Sequence, residues 1–250
     1  DFRSVAVREA LDLCLACKGC KSDCPVNVDM ATYKAEFMAR HYRGRLRPRA
    51  AYAMGLIWWW SRAATRMPRL ANVMLHAPGI GAAAKALGGI AQQRQMPRYA
   101  DVSFVRWFAA RAPVNTDGPP VLLWPDTWGN HFLPRPLQAA VSVLEAAGYQ
   151  VRIPPMPLCC QRPLYAEGML DLARRQLQRL LDMLADTLAQ GTPLVGLEPS
   201  CISAFRDELP QLLPGDERAL RLSQTSWLLG EFLERSGWQP PQLLRKAVVH

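Results

Sequence analysis

The feature that most constrains this chain is the run Cys14-Leu15-Ala16-Cys17-Lys18-Gly19-Cys20-Lys21-Ser22-Asp23-Cys24-Pro25. It reads C-x2-C-x2-C-x3-C-P, the bacterial ferredoxin spacing that wraps a cubane iron–sulfur cluster. Three thiolates spaced by two residues turn inward around one cluster face only in a tight loop whose amide N–H groups point at the sulfurs. Ala16 and Gly19 permit such a loop, and Pro25 turns the chain away after the fourth cysteine. In two-cluster ferredoxins that fourth cysteine ligates the other cluster. Cys14, Cys17 and Cys20 are therefore expected to hold one [4Fe-4S] cluster while Cys24 reaches for another. No second closely spaced run is in the sequence, and the chain is expected to be a piece of something longer. A zinc-binding loop or a set of unligated thiols is the competing reading.

Half of the 250 residues are apolar, enough for a sizeable core and incompatible with a disordered chain. Seven cysteines, four of them in the run, argue for a reducing compartment, since an oxidising one pairs thiols before iron arrives. The expected location is the cytoplasm or the inner face of a membrane. The formal charge of +9 fits an anionic membrane surface, an acidic protein or nucleic acid. The basic run His41 to Arg49 lacks the stacking aromatics and module of a nucleic-acid binder, so no specific nucleic-acid partner is expected. No window reaches the roughly 18 to 20 apolar residues that span a bilayer. Ala50 to Ser61, with Trp58-Trp59-Trp60, is too short. It reads either as a peripheral membrane segment or as an aromatic helix face packed on a neighbouring domain. The first residue is Asp1 rather than Met, and Val248-Val249-His250 reads as an interrupted strand, so both ends look cut.

In chain order, Val5 to Leu13 suits a short helix leading into the cysteine loop, and Asp29 an N-cap for a helix from Met30 to His41. Residues 51–76 are expected to be helical up to Pro78-Gly79, Gly81 to Gly89 flexible, and Gln92 to Asp117 a connector anchored by Trp107-Phe108. Past Asp117-Gly118-Pro119-Pro120 the pattern alternates: strand Val121–Leu123, helix Pro136–Ala147, strand Tyr149–Ile153, amphipathic helix Gly168–Gln190, strand Pro193–Leu197, helices Cys201–Leu209 and Ser226–Arg235, and a fourth strand from Ala247. Such alternation implies a parallel sheet with its chemistry at the carboxyl ends of the strands. The fold expected is an α-helical ferredoxin-like segment (1–50), a helical basic connector (51–117) and the first half of an α/β parallel-sheet cysteine-rich domain (118–250).

Cys159-Cys160 follow the second strand and Cys201 the third, at loop positions on one sheet edge. Three thiols there are either iron–sulfur ligands or a redox-active pair, or they are inert buried cysteines. Asp126, His131 and Glu198 sit on the same edge, either to bind and relay protons or to cap loops.

Five separated blocks carry a family resemblance: CLACKGCKSDCPVNVDMATYKAEF (14–37), GRLRPRAAY (44–52), LLWPDTWGNHF (122–132), PLCCQRPLY (157–165) and VGLEPSC (195–201). On these the chain resembles the iron–sulfur portion of FAD-linked D-2-hydroxy-acid dehydrogenases, of the D-lactate dehydrogenase, glycolate oxidase and D-2-hydroxyglutarate dehydrogenase type. The resemblance implies an electron-transfer module that takes electrons from FAD on an absent or partner domain and passes them to a quinone, cytochrome or carrier. It implies Cys14, Cys17, Cys20 and Cys24 as metal ligands, adds Cys159, Cys160 and Cys201 as further candidates, and leaves the catalytic flavin site outside this chain. A stand-alone subunit of a glycolate oxidase or anaerobic glycerol-3-phosphate dehydrogenase complex is the redox alternative; a zinc-stabilised interaction module is the alternative from another class. The family's cysteine-rich signature is CCG, whereas Gln161 stands at the glycine position here. The heterodisulfide-reductase branch has further cysteines where this chain has Trp124-Pro125 and Ala204.

Overall fold

The computed structural model describes residues 2–242. The expected strand from Ala247 and the interrupted strand at Val248-Val249-His250 lie outside the described residues. Four short strands, β1 (Pro120–Leu123), β2 (Gln150–Arg152), β3 (Leu194–Gly196) and β4 (Ser226–Leu228), form one parallel sheet in the order β2-β1-β3-β4.

Period-2 alternation along β1 divides the core between the two sheet faces. Val121 and Leu123 point to one face, where they meet Leu137, Val141 and Leu144 of the Pro134–Ala146 helix and Phe232 of the Leu229–Arg235 helix. Leu122 and Trp124 point to the other, against Leu177, Leu180 and Leu181 of the Leu170–Met183 helix and Phe205. The expected α/β alternation is present, with two refinements. Ser226 to Arg235, expected as one helix, begins as β4. Its first residues extend because β3 offers an open edge, pairing Ser226 with Leu194 and Trp227 with Val195. Glu231 then accepts from the Leu228 N–H at 3.1 Å and starts the helix. The long helix expected to Gln190 divides at Leu184 into Leu170–Met183 and Ala185–Ala189.

The connector is more ordered than its glycines imply. Residues 49–87 form four short helices, Arg49–Gly55, Ile57–Ala64, Pro68–His76 and Ile80–Leu87, and Phe104–Ala109 a fifth that seats Phe104 in the core. Gly81 to Gly89, expected to be flexible, is mostly helix because its interior is alanine-rich. The helix expected over 51–76 is interrupted ahead of Pro68, whose ring excludes a preceding helical turn.

The N-terminal segment has the expected helix, cysteine loop, helix layout: Val5–Asp12, a single turn Gly19–Asp23, and Met30–His41. Asp29 caps the last by accepting from the Thr32 N–H at 3.0 Å. That helix packs directly on the α/β unit at Gly168, whose φ of +65° and close neighbours require glycine: a Cβ there would lie 2.6 Å from Met38 Cβ and 2.9 Å from the Ala35 oxygen. Arg47 secures the same seam by donating to the carbonyls of Glu167 and Gly168 at 2.7 and 2.8 Å.

Candidate functional site at the carboxyl edge of the sheet

The chain leaves β1 for β2 on one side and returns to β3 on the other, so the β1/β3 boundary is the point where strand order reverses. In open parallel sheets this is where loops diverge and ligands gather. The loops after β1, β2 and β3 bring Thr127, Cys159-Cys160 and Cys201 together. Cys160 Sγ lies 3.0 Å from Cys201 Sγ, and Thr127 Oγ1 lies 3.9 Å from Cys159 Sγ. All three cysteines are buried. Contact with Cys160 and burial push the Cys159 thiol well up. Cys160, which Cys159 alone would lower, is carried up by Cys201 and burial. Cys201, lowered by Cys160 alone, is raised by burial, by Cys159 and by the charges of Asp126 and Glu198. The convergence expected from strand-end positions is therefore present, and as free thiols these groups are protonated.

Gln161 follows with φ +66°, a left-handed conformation that favours glycine. The residue is buried, and its Nε2 donates to the Cys159 oxygen at 2.8 Å. Gln161 thus holds a conformation that favours glycine, the residue of the CCG signature, and its side chain adds a hydrogen bond to the loop bearing Cys159.

Two of the three polar residues on this edge, Asp126 and Glu198, cap helices. Asp126 caps the Thr127–His131 helix, accepting from Trp128 and Gly129 N–H at 2.9 and 2.8 Å, while burial raises its carboxyl. Glu198 caps the Pro199–Ser203 helix, accepting from Ser200. His131 is buried beside Asn130, and burial with the nearby Arg62 charge lowers it to about 4.

In the first cysteine group, the Cys14 N–H donates to Leu11 O at 3.0 Å and closes the first helix. Left-handed Ala16 and Lys18 then curl the loop, and Ala16 N–H donates to Cys14 Sγ at 3.4 Å. Backbone N–H groups of Val28, Val26 and Asn27 lower the Cys24 thiol. Soft sulfur donors with amides aimed at two of them are the environment a thiolate ligand needs, so this loop fits an iron–sulfur cluster. No three or more His, Cys, Asp or Glu among the described residues lie placed around one metal ion. A [4Fe-4S] cluster makes no such demand, because each of its irons takes a separate cysteine. Cys17 is exposed, and Leu13, Leu15 and Val26 beside it are among the most exposed apolar side chains.

Sequence reasoning missed the link between the two cysteine groups. Lys18, from inside the loop, is almost fully enclosed and pairs with Asp29 at 3.2 Å, Glu208 at 3.4 Å and Asp207. Lys21 reaches Asp207 at 2.5 Å. Arg162, two residues after Cys160, bonds both Glu208 and the carbonyl oxygen of Ala16. Asp207 and Glu208 lie on a π-helical turn, Ala204–Glu208, immediately after the Cys201 helix. Such turns are rare and are common at functional sites. Burial alone would lower Lys18 and raise Asp29 and Asp207; the ion pairs at Lys18 and Asp207, and at Asp29 the Thr32 hydrogen bonds together with Lys18, outweigh it and shift each toward its charged form. Apart from Asp29, which reads as a helix cap, each of these residues reads as an ordinary surface charge in the sequence, and only tertiary proximity brings them together.

The cysteine loop is thus locked by buried ion pairs against the cysteine-bearing edge of the parallel sheet. No family model matches the chain, and no solved structure matches it at a significant level. Among curated proteins, D-2-hydroxyglutarate dehydrogenase of Pantoea ananatis is 24% identical over 94% of this chain and 24% of its own length. One subunit of the anaerobic glycerol-3-phosphate dehydrogenase of Escherichia coli is 28% identical over 64% of this chain and 42% of its own length. Lactate utilization protein A of Bacillus subtilis is 28% identical over 38% of this chain and 40% of its own. The relatives are of the kinds the sequence blocks imply. The chain spans about a quarter of the D-2-hydroxyglutarate dehydrogenase and less than half of the glycerol-3-phosphate dehydrogenase polypeptide.

Proposed function

We propose that this chain is the iron–sulfur electron-transfer part of an FAD-linked oxidoreductase that oxidises a D-2-hydroxy acid. The three-part division at residues 50 and 117 and the cytoplasmic location are part of the proposal. Cys14, Cys17 and Cys20 hold one [4Fe-4S] cluster, Cys24 is a ligand to a neighbouring one, and Cys159, Cys160 and Cys201 form a further sulfur site. The cluster, when bound, supplies one-electron transfer between the flavin, on a fused or separate unit, and a quinone, cytochrome or carrier.

The observation that carries this reading is the anchoring of the cysteine loop through Lys18 and Arg162 to the turn that follows Cys201. Electron transfer gains from donors and acceptors that keep their positions, and this network fixes the loop backbone at Ala16 while placing two sulfur groups on one edge. Exposed Cys17 with Leu13, Leu15 and Val26 leaves the far side of the loop open to a redox partner. The similarity to one subunit of a multi-subunit dehydrogenase favours the second reading, a separate iron–sulfur polypeptide, with the same roles for the same residues.

The test is a visible spectrum with iron, sulfide and zinc assays on anaerobically purified protein, before and after dithionite, on wild type and Cys17→Ser. Broad absorbance near about 400 nm that bleaches on reduction and is lost in the variant is the expected result. A colourless protein with stoichiometric zinc overturns it in favour of an interaction module. The 250-residue chain alone is expected not to oxidise D-lactate or glycolate.

A further inference from the structure

Between Glu36 and Asp101 the chain carries eleven Arg and Lys and no acidic residue. This stretch alone exceeds the net charge of the whole protein, +9. In a folded soluble layer, cations are normally interspersed with acids. Here the pairing is sparse: Arg40 with Glu36 and Arg69 with Asp101, each at 3.7 Å and reaching outside the stretch. Arg43, Arg45, Arg49, Arg66, Arg94 and Arg98 are exposed.

The same layer exposes apolar side chains in a helical pattern. The Pro68–His76 helix has no buried residue at all. Its Leu70, Val73 and Met74, at i, i+3 and i+4, form one stripe, and Val73 is 65% exposed. Met67 precedes the stripe, Ile80 follows it, and Leu87 on the next helix is 72% exposed. A cavity of about 590 Å³ lies within these helices. Trp60 and Leu87 line it and are themselves exposed, while Arg49 and Arg94 bring charge to a mostly apolar lining.

We propose that residues 43–98 are a docking surface for an anionic lipid bilayer, with the Leu70-Val73-Met74 stripe entering the acyl boundary and the surrounding arginines meeting lipid phosphates. The two features together select this partner. A run of cations with no acidic residue among them in sequence is drawn to an extended anionic surface. An apolar helix stripe flanked by Arg and Lys is the pattern of a helix lying in a membrane interface, and nucleic acid offers no apolar layer beneath its charge. The apolar cavity behind the surface has the character of a seat for one lipid chain, with Arg49 and Arg94 facing its headgroup. No described helix is long and apolar enough to cross a membrane. This inference stands independently of the redox reading.

Sedimentation of the 250-residue chain with phosphatidylcholine vesicles, with and without phosphatidylglycerol, tests it. Wild type is expected to pellet with the phosphatidylglycerol vesicles several-fold more than with phosphatidylcholine alone, with the difference shrinking as salt rises. Leu70→Glu combined with Val73→Glu is expected to lower the partition coefficient by on the order of tenfold or more, because two apolar insertions are lost. Arg66→Glu is expected to weaken it less, and Leu220→Glu, on an exposed apolar residue of the α/β unit, is expected to leave it unchanged. Circular dichroism melts confirm that the exposed-site variants fold. Wild type remaining in the supernatant, or the double variant pelleting like wild type, overturns the proposal. A wild-type dimer that the double variant converts to monomer, without vesicle binding by either, also overturns it and assigns the stripe to self-association.

Discussion

Arg162 donates to the carbonyl oxygen of Ala16, so a residue of the sheet-edge loop holds the backbone of the N-terminal cysteine loop across 146 positions of sequence. The other arm of the same guanidinium binds Glu208, which is 2% exposed and also faces Lys18. One planar fork thereby joins the loop that bears Cys17 to the turn that follows Cys201, a geometry that an ammonium does not reproduce.

Replacing Arg162 therefore leaves a buried carboxylate short of its partner. Arg162→Ala is expected to destabilise the protein by about 3–5 kcal/mol, and Arg162→Lys to recover only part of that. Urea unfolding on the metal-free chain measures both. A change within about 0.5 kcal/mol would show that the pair is incidental.

Gly168 sits where the cysteine-loop helix meets the α/β unit. Gly168→Ala combines a left-handed backbone with a Cβ 2.6 Å from Met38 Cβ. A loss of more than about 2 kcal/mol is expected, seen as a lower melting temperature, with the N-terminal segment protected less in hydrogen exchange.

At position 161, glycine relieves the left-handed strain while alanine keeps it, and both lose the bond to the Cys159 oxygen. Gln161→Gly is expected to be more stable than Gln161→Ala by about 1 kcal/mol in denaturant titration.

Acid sensitivity has two windows. His131 titrates at about 4 when folded, below the usual 6.5, so the unfolded chain takes up the proton first. Stability is expected to fall as the pH drops from about 6.5 to 4, by roughly 3 kcal/mol. His131→Asn is expected to flatten that slope. Asp29 and Asp207 are depressed carboxyls, so their contribution is present above the usual carboxylate range and is lost only at lower pH, below about 4. Melting temperature against pH resolves the two windows.

The two cysteine groups are expected to differ in reactivity. Brief iodoacetamide treatment of the metal-free folded chain should label exposed Cys17 and the amide-stabilised Cys24 and spare buried Cys159, Cys160 and Cys201. Peptide mass spectrometry reads the pattern, and labelling of Cys160 at the rate of Cys17 would contradict the buried site.

Much of this protein was determined locally. The spacing of Cys14, Cys17, Cys20 and Cys24, the Asp29 cap and the alternation of apolar β-strand residues with amphipathic helices act over a few residues, and they were legible in the sequence. The approach of Cys160 to Cys201 was foreseen only as a consequence of strand-end placement in a parallel sheet. Two things escaped. Ser226–Leu228 became a strand because β3 offered an unpaired edge, a partner no local pattern announces. The ion network of Lys18, Asp29, Arg162, Asp207 and Glu208 escaped because a charge carries no signature of its future burial. Whether a carboxylate faces water or a buried ammonium is a long-range electrostatic outcome, and here only the docking of the cysteine loop onto the sheet edge decided it.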